Sequence, residues 1–242
     1  MDVSVIITAY NYAAYVRDCI ASCLQQQPSA LTHEVIVVDD GSTDQTPSLL
    51  QGLDDPRLRC FRIDNSGIER AANFGIAQAR GRHIVRVDAD DLLGPDYLRG
   101  MQAHLGAGAG FVYPDYTVID GQGRVTAQVA LPPFEPDEIR GRGDFLAGGT
   151  LYDAEVLRSV GCYSTHVRNS GLENYALILT LLAAGVQGRH VAQPLFAYRR
   201  HALNMSDVKR DQIIRNGRQL FAEMGLGEYR TNQYHPYQLK LP

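Results

Sequence analysis

Short apolar runs that stop on polar residues recur along the first half of the chain. Residues 3–7, 34–38, 58–63 and 83–87 are rich in Val and Ile and read as buried strands. Between them, apolar positions return at helical spacing. Val16, Cys19, Ile20, Cys23 and Leu24 mark a helix that ends before Pro28, with Asn11 as its candidate cap. A helix is expected over residues 46–53. Another spans 67–79, with Ile68, Ala71, Ala72, Gly75 and Ile76 forming one small-residue face. A further helix over 95–105 begins with Pro at its first position. Strand, turn and helix repeated in this way predict an α/β fold: a Rossmann-like, mostly parallel central sheet flanked by helices.

The pattern then changes. Residues 111–119 and 124–129 flank Asp120-Gly121-Gln122-Gly123, a hairpin signal, so a smaller antiparallel or mixed region is expected. Residues 132–149, rich in Pro, Gly and charge, read as a long loop of the kind that carries function. Asp153 caps a short helix ending at Gly161, and a helix over 172–184 is closed by Gly185. Residues 191–198 are extended, 207–224 form a terminal helix, and 225–242 make an aromatic-rich tail. The organisation expected is one domain over 1–206, with halves 1–105 and 106–206, followed by a C-terminal helix and tail over 207–242.

A chain of 242 residues, 45% hydrophobic, can bury one sizeable core. Its net charge of −4 gives no basic footprint, so no nucleic-acid partner is expected, and an anionic ligand would need local positive charge or a cation. No secretory leader pattern and no spanning apolar run are visible. The stretch around 176–184 is too short to span, and the expectation is a soluble, cytoplasmic protein. Cys19, Cys23, Cys60 and Cys162 lack disulfide-like regularity and read as reduced packing residues.

Three polar clusters sit on strand ends: Thr8-Ala9-Tyr10-Asn11, Asp39-Asp40-Gly41-Ser42 and Asp88-Ala89-Asp90-Asp91. Any one of them could be turn chemistry or helix capping. Three on successive strand ends point to a ligand site, because open α/β sheets bind ligands at the carboxyl ends of their strands. Asp88 and Asp90, one residue apart beyond an apolar strand, can face a single divalent cation. Carboxylate, water and phosphate ligands suit Mg2+ or Mn2+.

With these segments in view, the chain resembles the inverting family-2 glycosyltransferases of the GT-A fold. The shared pieces are Val5-Ile6-Ile7-Thr8-Ala9-Tyr10-Asn11, Val37-Val38-Asp39-Asp40-Gly41-Ser42-Thr43-Asp44, Asn65-Ser66-Gly67 with Asn73 and Gly75, Val87-Asp88-Ala89-Asp90-Asp91, Gly171-Leu172-Glu173-Asn174-Tyr175 and Tyr198-Arg199-Arg200-His201. They cover roughly residues 3–206 in the family's order. The resemblance implies metal-dependent transfer of a sugar from a nucleotide-diphosphate sugar to an acceptor hydroxyl, in polysaccharide or glycoconjugate synthesis. Residues 1–105 would be the nucleotide-binding half and 106–206 the acceptor-binding half. Thr8, Tyr10, Asn11, Asp40 and Ala89 would belong to the donor site. Asp39 would accept from the base N3–H, which favours a UDP- or dTDP-sugar. Asp88 would approach the ribose and diphosphate. Asp88 and Asp90 would hold Mn2+ or Mg2+, with His201 reaching the metal or diphosphate from the C-terminal loop.

Two departures from the family pattern bear on mechanism. Family members usually carry Glu-Asp where this chain has Glu173-Asn174, and that Asp typically serves as the base toward the acceptor. Asn cannot take a proton at neutral pH. Either Glu173 takes the role, or another carboxylate such as Asp115 does, or the acceptor needs little base assistance, or transfer is lost; Glu173 is the reading adopted. The family often has Arg directly before Asn73, where Ala72 stands, and Arg70 is the substitute candidate for reaching phosphate at the helix N-terminal turn. Two rival functions follow from the same residues: a non-catalytic nucleotide-sugar or glycan binder, suggested by Asn174, and a sugar nucleotidyltransferase, which would need Gly and Lys in the loop after the first strand. The acceptor class stays open between glycan, lipid-linked and protein. The tail with Tyr229, Tyr234, His235 and Tyr237 could pack on the domain, seal a homodimer or touch a membrane peripherally.

Overall fold

The computed structural model describes residues 1–106, 108–143, 148–202 and 204–235. In the first half the expected alternation forms: β1 (Val3–Ala9), α1 (Val16–Leu24), β2 (His33–Asp39), α2 (Thr46–Gln51), β3 (Leu58–Arg62), α3 (Ile68–Gln78) and β4 (His83–Asp88). The four strands are parallel in the order β3-β2-β1-β4. Their register decides where the polar ends meet. Thr8 is level with Asp88 on one side, and Ala9 with Asp39 on the other. Val and Ile occupy both faces of β1 and β2, which are buried almost throughout, as expected for strands covered by helices. Gly75 lets α3 lie close on the sheet, since a Cβ there would come within 2.5 Å of Ile6 Cγ2.

The chain continues through β5 (Leu92–Leu93), α4 (Tyr97–Gln102), β6 (Phe111–Ile119), β7 (Val125–Val129), α5 (Pro136–Arg142), β8 (Leu151–Asp153), α6 (Ala154–Ser159), α7 (Glu173–Ala183), β9 (Gly188–Arg199), α8 (Met205–Val208) and α9 (Arg210–Glu223). All strands join one sheet, ordered β3-β2-β1-β4-β8-β6-β9-β5, with β7 paired to β6 as the expected hairpin. The parallel run ends at β8, which pairs antiparallel to both β4 and β6. β9 runs parallel to β6 and antiparallel to β5. The mostly parallel half with a mixed second region is therefore the observed architecture.

Several expectations change. Asn11 does not cap α1, whose N-cap position is Tyr15, without a side-chain bond. At φ 60°, Asn11 instead turns its Oδ1 to accept from the backbone N–H groups of Thr43 (2.8 Å) and Asp44 (3.3 Å). The helix expected from Pro95 begins at Tyr97. β5 and β8 were invisible because two or three residues carry no periodicity. The stretch expected as a loop over 132–149 contains α5, opened by Pro136; residues 144–147 lie outside the described residues. The single terminal helix is two, α8 and α9. Asp153 caps α6 as expected, accepting from the N–H groups of Glu155 and Val156. At the end of α7, Gly185 (φ 75°) and Val186 donate back to Leu182 and Leu181.

The tail packs on the domain as far as it is described. Tyr229 is buried, its ring edge-on to Phe221 at 5.1 Å and its hydroxyl donating to the Gly143 carbonyl at 2.9 Å. His235 is also buried, and Tyr237 lies outside the described residues. Among the described residues, no helix is long and apolar enough to cross a membrane.

Candidate active site

The level ends of β1 and β4 open into a cavity of about 560 Å3. Thr8, Tyr10 and Tyr12 line it from the β1 side, and Asp88, Asp90 and Asp91 from the β4 side. Glu173 and Asn174 close it at the start of α7, and Met205, Val208 and Lys209 at the junction of α8 and α9. Its size and mixed lining suit a small-molecule site.

Three carboxylates cluster at the end of β4. Asp88, 32% exposed at its side chain, accepts from Thr8 Oγ1 at 3.4 Å and from Arg86 Nη2 at 3.2 Å. Asp90 is buried and pairs through Oδ2 with His201 Nε2 at 3.0 Å. Asp91 is buried and accepts the backbone N–H of Arg199 at 2.8 Å. Burial raises the Asp88 carboxyl above the usual range; Arg86 opposes that rise and Asp90 adds to it. Asp91 is pushed well up by burial and then by Asp90 and Asp88. The cluster is thus short of positive charge, the condition under which a divalent cation gains most from binding. Among the described residues, no three His, Cys, Asp or Glu side chains converge as a closed metal cage. One or two carboxylates completed by water and substrate phosphate is the donor set that Mg2+ or Mn2+ takes.

His201 is held by aromatic neighbours and does not itself line the cavity. Its ring stacks on Tyr15 (centroids 5.0 Å apart, 29° between planes) and meets Tyr12 edge-on at 6.4 Å. The Arg199 guanidinium covers the Tyr15 ring at 4.8 Å and donates from Nε to the Asp90 carbonyl at 2.7 Å. Burial and the carboxylate at Asp90 push the Tyr12 hydroxyl well up, so it stays a neutral donor.

Sequence reasoning missed a residue that lies behind this lining. Arg86, fully buried on β4, donates from Nη2 to Glu173 Oε1 at 3.0 Å as well as to Asp88, and lies 5.3 Å over the Tyr163 ring. Its one sequence signal is a charge standing among Ile84, Val85 and Val87. Burial raises the Glu173 carboxyl, with Arg86 opposing and Asp88 and Glu69 adding to the rise. Asn174 accepts from the Tyr163 hydroxyl at 3.2 Å. Asp115 does not belong here: it pairs with His190 Nε2 at 2.7 Å and accepts from Leu131 N–H, outside the cavity lining.

The remaining expected residues divide. Asp40 lines the cavity, and its carboxylate accepts from the backbone N–H groups of Ser66 (2.7 Å) and Gly67 (2.9 Å) just before α3. Asp39 is buried beside the cavity, accepting from Ser42 N–H at 2.9 Å and Arg62 Nη1 at 3.0 Å. Ala89 is buried and holds the Thr8 carbonyl through its N–H. Asn11 and Arg70 stand outside the lining, Arg70 exposed to solvent.

Residues 4–157 match the family model described as Glycosyl transferase family 2. The succinoglycan biosynthesis protein ExoO of Rhizobium meliloti (strain 1021) is 33% identical over 215 residues, 83% of this chain; the chain spans 60% of that relative's length. Among solved structures, S. aureus TarS 1-349 in complex with UDP-GlcNAc superposes with a TM-score of 0.72 at 21% identity, covering 94% of this chain and 67% of the other. The mannosyltransferase PcManGT of Pyrobaculum calidifontis, in complex with GDP-Man and Mn2+, gives 0.69 at 20% identity, covering 97% of this chain and 67% of the other. The GT-A-type fold is shared with these neighbours.

Proposed function

This chain belongs to glycosyl transferase family 2, and on that premise we propose that it is a metal-dependent, inverting glycosyltransferase of polysaccharide or glycoconjugate synthesis. The donor is a nucleotide-diphosphate sugar, with UDP- or dTDP-sugars favoured, and the acceptor is a hydroxyl group. One observation carries the reading: a single cavity is lined by Asp88 and Asp90 and also by Glu173. Leaving-group and nucleophile chemistry therefore share one cavity.

Asp88 and Asp90 would hold the divalent cation, and Mn2+ in the GDP-Man complex of the mannosyltransferase neighbour supports that choice. When bound, the cation neutralises charge on the departing diphosphate. His201 fixes Asp90 through its 3.0 Å bond, and would itself become a ligand only by giving that bond up. Thr8 and Tyr10 form the nucleoside side. A pyrimidine N3–H reaches Asp39 by displacing the half-exposed Arg62 guanidinium. Glu173 takes the acceptor proton. Asn174 is a neutral hydrogen-bonding group for the acceptor, held by Tyr163.

The test is nucleotide release from UDP-, dTDP- and GDP-sugars with Mn2+ and a panel of glycan and lipid-linked acceptors. Release that EDTA abolishes, and that Asp90→Ala lacks, is the expected result. Tight nucleotide binding without release from any donor, with or without acceptor, would instead make the protein a nucleotide-sugar binder.

A further inference from the structure

Arg86 is an expensive residue to place where it lies. An arginine with under 2% of its surface exposed gives up its hydration, and two of its nitrogens, Nε and Nη1, have no acceptor. An apolar side chain would continue the pattern of β4, where Ile84, Val85 and Val87 surround it. Packing alone therefore does not account for a cation here. Its contacts do: Nη2 is shared between Asp88 Oδ2 at 3.2 Å and Glu173 Oε1 at 3.0 Å. Both carboxylates line the cavity, and 87 residues separate Arg86 from Glu173 in the chain.

We propose that Arg86 is a positioning residue that aims Glu173 for proton transfer and ties it to Asp88 through the shared Nη2. The inference rests on Glu173 serving as the base. Facing the Glu173 carboxyl are Arg86 and Asp88 from β4, Glu69 from α3 and Tyr163 from the segment before α7. Burial and both acids favour the protonated form, which cannot accept the acceptor's proton; Arg86 is the group that opposes them. Holding Oε1 at 3.0 Å also fixes the rotamer of a residue at the first position of α7, where backbone alone would leave the side chain several choices.

Arg86→Gln and Arg86→Lys test this, beside Glu173→Gln, with kcat, KM for donor, UDP affinity by calorimetry, melting temperature and the pH profile of kcat/KM. In Arg86→Gln, kcat falls on the order of 100-fold, the scale of a misplaced general base, while UDP affinity stays within roughly threefold. The acidic limb of the profile moves to higher pH, because Glu173 loses the cation that opposes its protonation. Arg86→Lys keeps the buried charge and returns the limb toward its original place. Lower melting temperatures with kcat and the limb unchanged would make Arg86 structural and overturn the proposal. If Arg86→Gln does not fold, the limb and kcat of Arg86→Lys decide: values equal to wild type in both would overturn it, since a point charge cannot reproduce the shared geometry. Full turnover in Glu173→Gln would sink the base assignment itself. Lost turnover there with an unmoved limb in Arg86→Gln would sink the Arg86 proposal alone.

Discussion

Replacing Asp90 by Asn should stabilise the metal-free protein while disabling it. The substitution keeps shape and removes one of three neighbouring negative charges. Asp88 and Asp91 are both pushed up partly by Asp90, so each is relieved when that charge goes. Two unit charges about 5 Å apart at an effective dielectric of about 20 repel by about 3 kcal/mol. Against this stands the Asp90–His201 bond of 3.0 Å, which Asn retains as a neutral hydrogen bond at a loss of about 1–2 kcal/mol. The net gain is about 1 kcal/mol, or about 2–4 °C in Tm for a chain of this size. Melting in EDTA measures it. Wild type with Mn2+ and UDP at 100-fold over Kd should then gain about 2.7 kcal/mol, and Asp90→Asn should gain little, with kcat down on the order of 100-fold or more. A variant less stable than wild type in EDTA would show that these carboxylates do not repel one another, and one with the full Mn2+-dependent shift would show that Asp90 is no part of a cation site.

Two further outcomes test the frame around the site. Glu34 is buried, accepting from Ser4 Oγ and Arg80 N–H at 2.8 Å and from Arg59 at 2.9 Å, so Glu34→Ala should cost about 3 kcal/mol in denaturant unfolding by stranding those donors. An effect below about 1 kcal/mol would mean that water replaces the carboxylate. Burial, and secondarily Arg210, pulls His235 down to about 4 from its ordinary 6.5. The unfolded chain then binds this proton more readily than the folded one, so wild type should lose up to about 3 kcal/mol relative to His235→Gln as pH falls from about 6.5 to about 4. Parallel stability curves for the two proteins across that window would refute a buried neutral imidazole.

Much of the acidic strand-end cluster was written locally. Residues 3–9 and 83–88 alternate with helices in a way that forces a parallel sheet, and parallel strands bring their carboxyl ends to one edge. Thr8, Asp88 and Asp90 were therefore placed together by a pattern a few residues long, as was the Asp153 cap. Asn11 was misjudged because its partners, Thr43 and Asp44, sit more than thirty residues away and no local spacing announces them. The same limit hid β8, whose three residues pair only because β4 and β6 are already there. It also left Arg70 a candidate until the fold turned it to solvent.

By itself, the sequence determined the alternating fold, the acidic strand ends and the family, because these depend on residue type at short spacing. Only the tertiary structure decided which carboxylates face each other. Arg86 reaches Glu173 across 87 residues, Asp90 reaches His201 across 111, and Asp115 is drawn away to His190 across 75. Charge pairing in a buried site depends on distance in space, and sequence separation carries no information about that distance until the strand register has been set.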